Sequence, residues 1–248
     1  MSSLAFALAL AAQTCPAACP PLVPAPDAPS VAAARAWMQS AVDLAERHNS
    51  DAEPGLINVT ASLTPEAEHV PTGARCRFWY GSAQISFTYY NGRALSCGTA
   101  LGWVGTGASL YRLEERPGVP PGWLGPESGS ATATPRDVAL ARAAAVEREA
   151  PGRTSAEISD TLEWTAPGGR RIPYVAATVQ YPGGAPAGTP QRRHSRIYAA
   201  VVGEWMLIYR ADGAAHYRAA LDLYAEEGFG RLLASVEAAG RILPRSAR

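Results

Sequence analysis

Apolar residues recur three and four apart over residues 31–48. Ala34, Trp37, Met38, Ala41, Val42 and Ala45 form one stripe, and Asp43, Glu46 and Arg47 fall off it. That spacing is helical, and Ser30 is a good N-cap. The stripe predicts a helix laid on a sheet, with Trp37 and Met38 as core residues. The period then changes to two. Over residues 75–80, Cys76, Phe78 and Tyr80 alternate with Arg75, Arg77 and Trp79. In residues 83–90, Ile85, Phe87 and Tyr89 share a face. Gly81-Ser82 and Asn91-Gly92 are hairpin signals, so residues 73–98 read as a small meander. Residues 56–63 alternate more loosely.

Residues 102–107 read Gly-Trp-Val-Gly-Thr-Gly. The spacing is not that of a dinucleotide loop, and no helical pattern follows. A flexible glycine-rich turn is the expectation. Residues 117–130 form a Gly/Pro/Ser loop. Thr134-Pro135-Arg136-Asp137 predicts a helix start, with Thr capping, Pro in the first turn and Asp answering. That helix ends at residues 149–152. A polar stretch with Glu157, Asp160 and Glu163 leads to a strand over 172–181, then to a Gly/Ala/Pro loop over 182–190.

Residues 197–202 and 205–209 are the clearest hairpin, joined by Gly203-Glu204. Both of its faces are apolar, which marks a central pair. A last helix begins near Ala214 with Tyr217, Leu221 and Tyr224 on one face. Residues 226–230 (Glu-Glu-Gly-Phe-Gly) interrupt it, and residues 231–239 resume it. The sum is one α+β domain over residues 30–248, an antiparallel sheet covered by about three helices.

Composition narrows the partners. Arg plus Lys equals Asp plus Glu at 22 each, so the chain lacks the basic surplus of a nucleic-acid binder. No apolar run approaches the roughly 18 residues of a membrane span. All basic residues are Arg, which excludes Schiff-base chemistry and a P-loop lysine. No charge precedes Asp27, and residues 4–12 are apolar. This looks like the apolar segment of a secretory signal peptide, though no Lys or Arg precedes it. We expect residues 1–14 to be a leader, residues 15–29 a Pro-rich tether, and the mature protein to be periplasmic or secreted. Neither Cys15 nor Cys19 sits in a good lipobox, so no lipid anchor is expected.

The four cysteines are 15, 19, 76 and 97, which allow three pairings. Cys76 and Cys97 lie in strand-like segments, and in an oxidising compartment they pair. Cys15 and Cys19 pair locally, stay free, or are partly lost with the leader. The cysteines and His48, His69, His194 and His216 show no zinc-ligand spacing, so neither a metal nor a cofactor is expected.

The hairpin and helix after residue 202, carrying Gly203-Glu204-Trp205-Met206-Leu207-Ile208-Tyr209-Arg210, are similar to the end of PsbP-like domains. Asn58-Val59-Thr60, residues 73–78 and Ser96-Cys97-Gly98 resemble uncharacterised exported proteins of alphaproteobacteria. The resemblance implies a sheet between helices, an exported address and a binding or accessory role, with no catalytic residues.

Catalytic patterns are correspondingly thin. No G-x-S-x-G is present, since Tyr111 stands where Ser109 would need a glycine. Glu114-Glu115 and Glu226-Glu227 are adjacent pairs, which do not face each other as a dyad must. Arg170, Arg171, Arg192, Arg193, His194 and Arg196 flank two strands, and would form an anion-binding cluster if strand pairing brings them together. Charges that protect a solvated strand edge are the other reading. The expectation is an exported, non-enzymatic protein with a protein or small-molecule partner, against an exported hydrolase whose site is assembled from loops.

Overall fold

The computed structural model describes residues 23–24, 30–47, 54–78, 84–90, 94–101, 104–113, 133–149, 155–182 and 192–240. The expected leader, most of the expected tether and the loops expected over 117–130 and 182–190 lie outside them, Pro182 excepted. Helix α1 is Val31–Glu46, α2 is Pro135–Glu149 and α3 is Arg218–Ala239. The strands are β1 (Val23–Pro24), β2 (Leu56–Asn58), β3 (Glu66–His69), β4 (Ala74–Arg77), β5 (Gln84–Tyr90), β6 (Ala94–Leu101) and β7 (Val104–Arg112). They continue as β8 (Ser155–Ile158), β9 (Leu162–Thr165), β10 (Arg171–Pro182), β11 (Arg192–Val202) and β12 (Trp205–Ala214). This is an α+β architecture of antiparallel sheets and three helices.

The large sheet runs β1-β5-β6-β7-β12-β11-β10-β8, with β9 also pairing β10; β2-β3-β4 form a second, three-stranded sheet. The β11–β12 hairpin is central, as its two apolar faces require. Ile197, Ala199, Met206 and Ile208 face α2, packing on Val138, Ala139, Ala143 and Val146. Tyr198, Ala200, Trp205 and Leu207 join the opposite core, shared by α1, the small sheet and α3. The α1 stripe is buried as its period demands. Ser30 caps it through Ala33 N–H at 3.0 Å. Glu46, off that stripe, ties the helix to β2, because its carboxylate accepts from the Gly55 and Leu56 amides at 3.0 and 2.7 Å. The start of α2 closes a reciprocal box, with Thr134 N–H to Asp137 at 2.9 Å and Asp137 N–H to the Thr134 hydroxyl at 3.2 Å. The Thr134 amide, and the Thr134 hydroxyl donating to the same carboxylate at 2.7 Å, hold the Asp137 carboxyl below its usual pKa. No described helix is long and apolar enough to cross a membrane.

Four expectations are corrected. The meander over 73–98 does not form. β4 pairs with β3, Ala67 opposite Cys76, while β5 pairs with β6, Tyr90 opposite Ala94; the turns expected at Gly81-Ser82 and Asn91-Gly92 lie outside the described residues. Period-two alternation identifies strands but does not choose their neighbours. The glycine-rich turn is strand from Val104 onward. Gly105 and Gly107 lie in β7, where Gly107 is opposite Gly98. The polar stretch over 155–165 supplies two short strands, β8 and β9, both largely exposed.

The fourth correction concerns α3, which passes residues 226–230 without a break. A Cβ on Gly228 would lie 2.2 Å from the Tyr209 hydroxyl, and one on Gly230 would lie 3.4 Å from Trp164 Nε1. The glycines therefore serve close packing, not a helix end. Helix propensity alone would favour Gly228→Ala by about 1 kcal/mol. Overpacking costs roughly 1–3 kcal/mol, so we expect G228A to lower urea stability. A gain would mean that Tyr209 moves aside freely.

Candidate functional site

Cys76 and Cys97 are joined, with Cα atoms 6.4 Å apart. The bridge ties β4 of the small sheet to β6 of the large one, and it forms part of the wall of a cleft of about 290 Å³. The large sheet provides the floor. Register places Thr99 opposite Thr106 and Cys97 opposite Ala108, and Ala108 opposite Tyr209. All of these but Tyr209 are small, which leaves space above the floor. From α3 the cleft receives Tyr224, Glu227, Gly228, Arg231 and Leu232, the i, i+3, i+4, i+7, i+8 stripe of one helix face. The third wall is β4 and the residue after it, contributing Arg75, Arg77 and Phe78, with Leu63 from the segment between β2 and β3.

The walls are apolar and aromatic, and the charges sit on them in pairs. Arg75 meets Glu68 at 3.1 Å and Arg77 meets Glu66 at 2.5 Å, both across β3–β4. Arg231 pairs with Glu227 along α3. Burial pushes the Tyr209 phenol above its ordinary pKa, against the opposing Thr106 hydrogen bond and Arg231 charge. It therefore lines the cleft as a neutral phenol at physiological pH. Among the described lining residues there is one carboxylate, Glu227, and no histidine. No group of three or more potential metal ligands occurs among the described residues.

The arginine cluster expected at residues 170–196 is not brought together. β10 and β11 do pair, but antiparallel, with Pro182 opposite Arg192 and Tyr174 opposite Ala200. Arg170 and Arg171 stand at one end of β10, and Arg192, Arg193 and Arg196 toward the other. At about 3.3 Å per residue the ends are roughly 35 Å apart. Arg170 is held by Glu237 at 2.9 Å and Arg171 by Glu163 at 3.2 Å. Arg196 donates to Thr178 and lies over the Tyr198 ring, 5.3 Å from its centroid. His194 is fully buried, its Nε2 2.7 Å from Asp222 of α3. It ties β11 to α3; the Arg192 side chain lies outside the described residues. The cleft arginines are not singled out by the sequence. Their signal is the Arg75-Cys76-Arg77 alternation and the α3 stripe, which the glycines at 228 and 230 disguise as a break.

No protein-family model matches the sequence, and no curated protein does. Among solved structures, the crystal structure of the Saccharomyces cerevisiae Ran-binding protein Mog1p is similar at a TM-score of 0.31 and 8% identity, covering 72% of this chain and 92% of that one. A TM-score of 0.31 establishes no shared fold, so the PsbP-like and alphaproteobacterial resemblances stand as expectations of the sequence alone.

Proposed function

We propose that the chain is an exported, non-enzymatic binding or accessory protein of a bacterial envelope, and that its ligand occupies the cleft between α3, β4 and the large sheet. The observation that carries this reading is the cleft itself. It is a concavity of about 290 Å³, near the lower bound of small-molecule sites, with mostly apolar walls and a few placed polar groups. Its charged residues already have partners, which suits recognition more than proton transfer. The Cys76–Cys97 bridge and the uncharged apolar leader segment support the exported address, where such bridges persist.

The test is a fluorescence titration of the folded protein with neutral N-phenyl-1-naphthylamine. Saturable binding at one site is expected, and V104W should abolish it, because Val104 is half-buried at the cleft. Saturation unchanged in V104W overturns the assignment of this cleft. For the address, mass spectrometry of native protein should show a processed N-terminus and an oxidised Cys76–Cys97 pair. An intact Met1 with free thiols overturns export.

A further inference from the structure

The charges around the cleft are not placed symmetrically. Three guanidiniums line it, those of Arg75, Arg77 and Arg231, against the single carboxylate of Glu227. The partners of Arg75 and Arg77 are Glu68 and Glu66 on β3; both are 10% exposed and neither belongs to the lining. Two of the three neutralising charges thus sit behind the wall. Each guanidinium has five N–H donors in a planar fork, more than one carboxylate can use.

The packing of β4 on α3 fixes where these donors lie. A Cβ on Gly73 would lie 2.0 Å from the Ala239 Cβ and 3.5 Å from the Ser235 carbonyl oxygen. Two residues on, the Arg75 amide donates to the Ser235 hydroxyl at 3.0 Å. The strand therefore runs antiparallel to the helix, in matched step. Two strand residues advance about 6.6 Å and four helix residues about 6 Å. Continued by one more step, this register sets Arg77 beside Arg231. Both residues line the cleft, one from each wall. Each already has one carboxylate partner, Glu66 for Arg77 and Glu227 for Arg231, and an anion bound between the two would add a charge-assisted contact to both.

We infer that the cleft takes an organic anion, a flat apolar body with one carboxylate or sulfonate held between Arg77 and Arg231. The inference rests on the cleft being a ligand site, and adds the ligand's charge and orientation. Phe78, Tyr209 and Tyr224 supply the aromatic surface for the body. Glu227 is the competitor. Its pair with Arg231 is 56% and 53% exposed, and exposed pairs of this spacing are weak, so an incoming anion displaces it at little cost.

Two probes that share one skeleton test this. 1-Anilinonaphthalene-8-sulfonate carries the anion, and N-phenyl-1-naphthylamine lacks it. The sulfonate is expected to bind about tenfold tighter or better, as a charge-assisted contact allows. R231Q should remove most of that advantage. E227Q should strengthen sulfonate binding several-fold, a gain that damage to the fold cannot mimic. The readout is the ratio of sulfonate to neutral-probe affinity, which should fall in R231Q and rise in E227Q. Equal affinity for the two probes, or sulfonate binding weakened by E227Q, overturns the inference while the apolar cleft stands. Absence of binding by both probes overturns the cleft as a site altogether.

Discussion

Acidification from pH 6.5 toward pH 4 is expected to cost the folded protein about 1.4 kcal/mol per pH unit through one side chain, His69. His69 is fully buried on β3. Its ring meets Trp205 of β12 edge-on, at 5.3 Å between centroids, and its Nδ1 lies 2.9 Å from the Thr72 hydroxyl. It thus sits where the small sheet packs on the large one. Burial lowers its pKa from 6.5 to about 3. In the unfolded chain the imidazole binds a proton below about 6.5; in the folded one it stays neutral until about 3. Between those values the unfolded state holds one more proton, so stability falls as pH falls. Above 6.5 the group contributes no slope. Across the whole window the loss approaches about 5 kcal/mol, comparable to the entire margin of an ordinary domain. Urea unfolding at pH 7, 6, 5 and 4.5 reads this directly. H69Q keeps a hydrogen-bonding group near Thr72 and cannot titrate. It should be less stable than the parent at pH 7 and show a slope shallower by about one proton. A slope equal to the parent's would remove His69 as its source.

What was legible in the sequence depended on the range of the physics involved. The α1 stripe, the Thr134–Asp137 box and the β11–β12 hairpin are decided by residues within a few positions of one another, and all three form as read. Strand partnership is decided by residues far apart. Arg75 to Phe78 has the alternation of a strand whichever neighbour it takes, and Glu66 and Glu68 on β3 complete it with two ion pairs that periodicity does not reveal. Glycine misled for the same reason. At 105 and 107 it lies flat in β7, and at 228 it admits the Tyr209 ring, so its role is fixed by what packs against it. The cleft is the extreme case. Its floor, its helix wall and its arginines come from β6, β7, β12, α3 and β4, and no window of the sequence contains more than one wall. The cluster drawn from residues 170–196 failed because a long hairpin separates the start of one strand from the start of the next.

Replacing both bridging cysteines, as C76A/C97A, is expected to destabilise the protein by about 3 kcal/mol, the loop-closure entropy released by a separation of 21 residues. The loss should not spread evenly. β4 is an edge strand of a sheet with only three members, and it is held to the rest of the molecule by the bridge, by the Ser235 hydroxyl on the Arg75 amide and by buried Ala74 and Phe78. The β10–β11–β12 ladder has its own two-sided core and does not depend on the sulfurs. Amide exchange in the double variant should therefore accelerate over residues 56–78 well before it changes over residues 192–214. The same loosening should weaken the 1-anilinonaphthalene-8-sulfonate site, because β4 carries two of its three arginines. If exchange instead rises uniformly across both sheets, the small sheet is not a separately held unit, and the bridge acts on the domain as a whole. If exchange over 56–78 rises while probe affinity is unchanged, β4 is not a wall of the binding site. Exchange and titration on one variant thus separate the bridge's part in stability from its part in shaping the cleft.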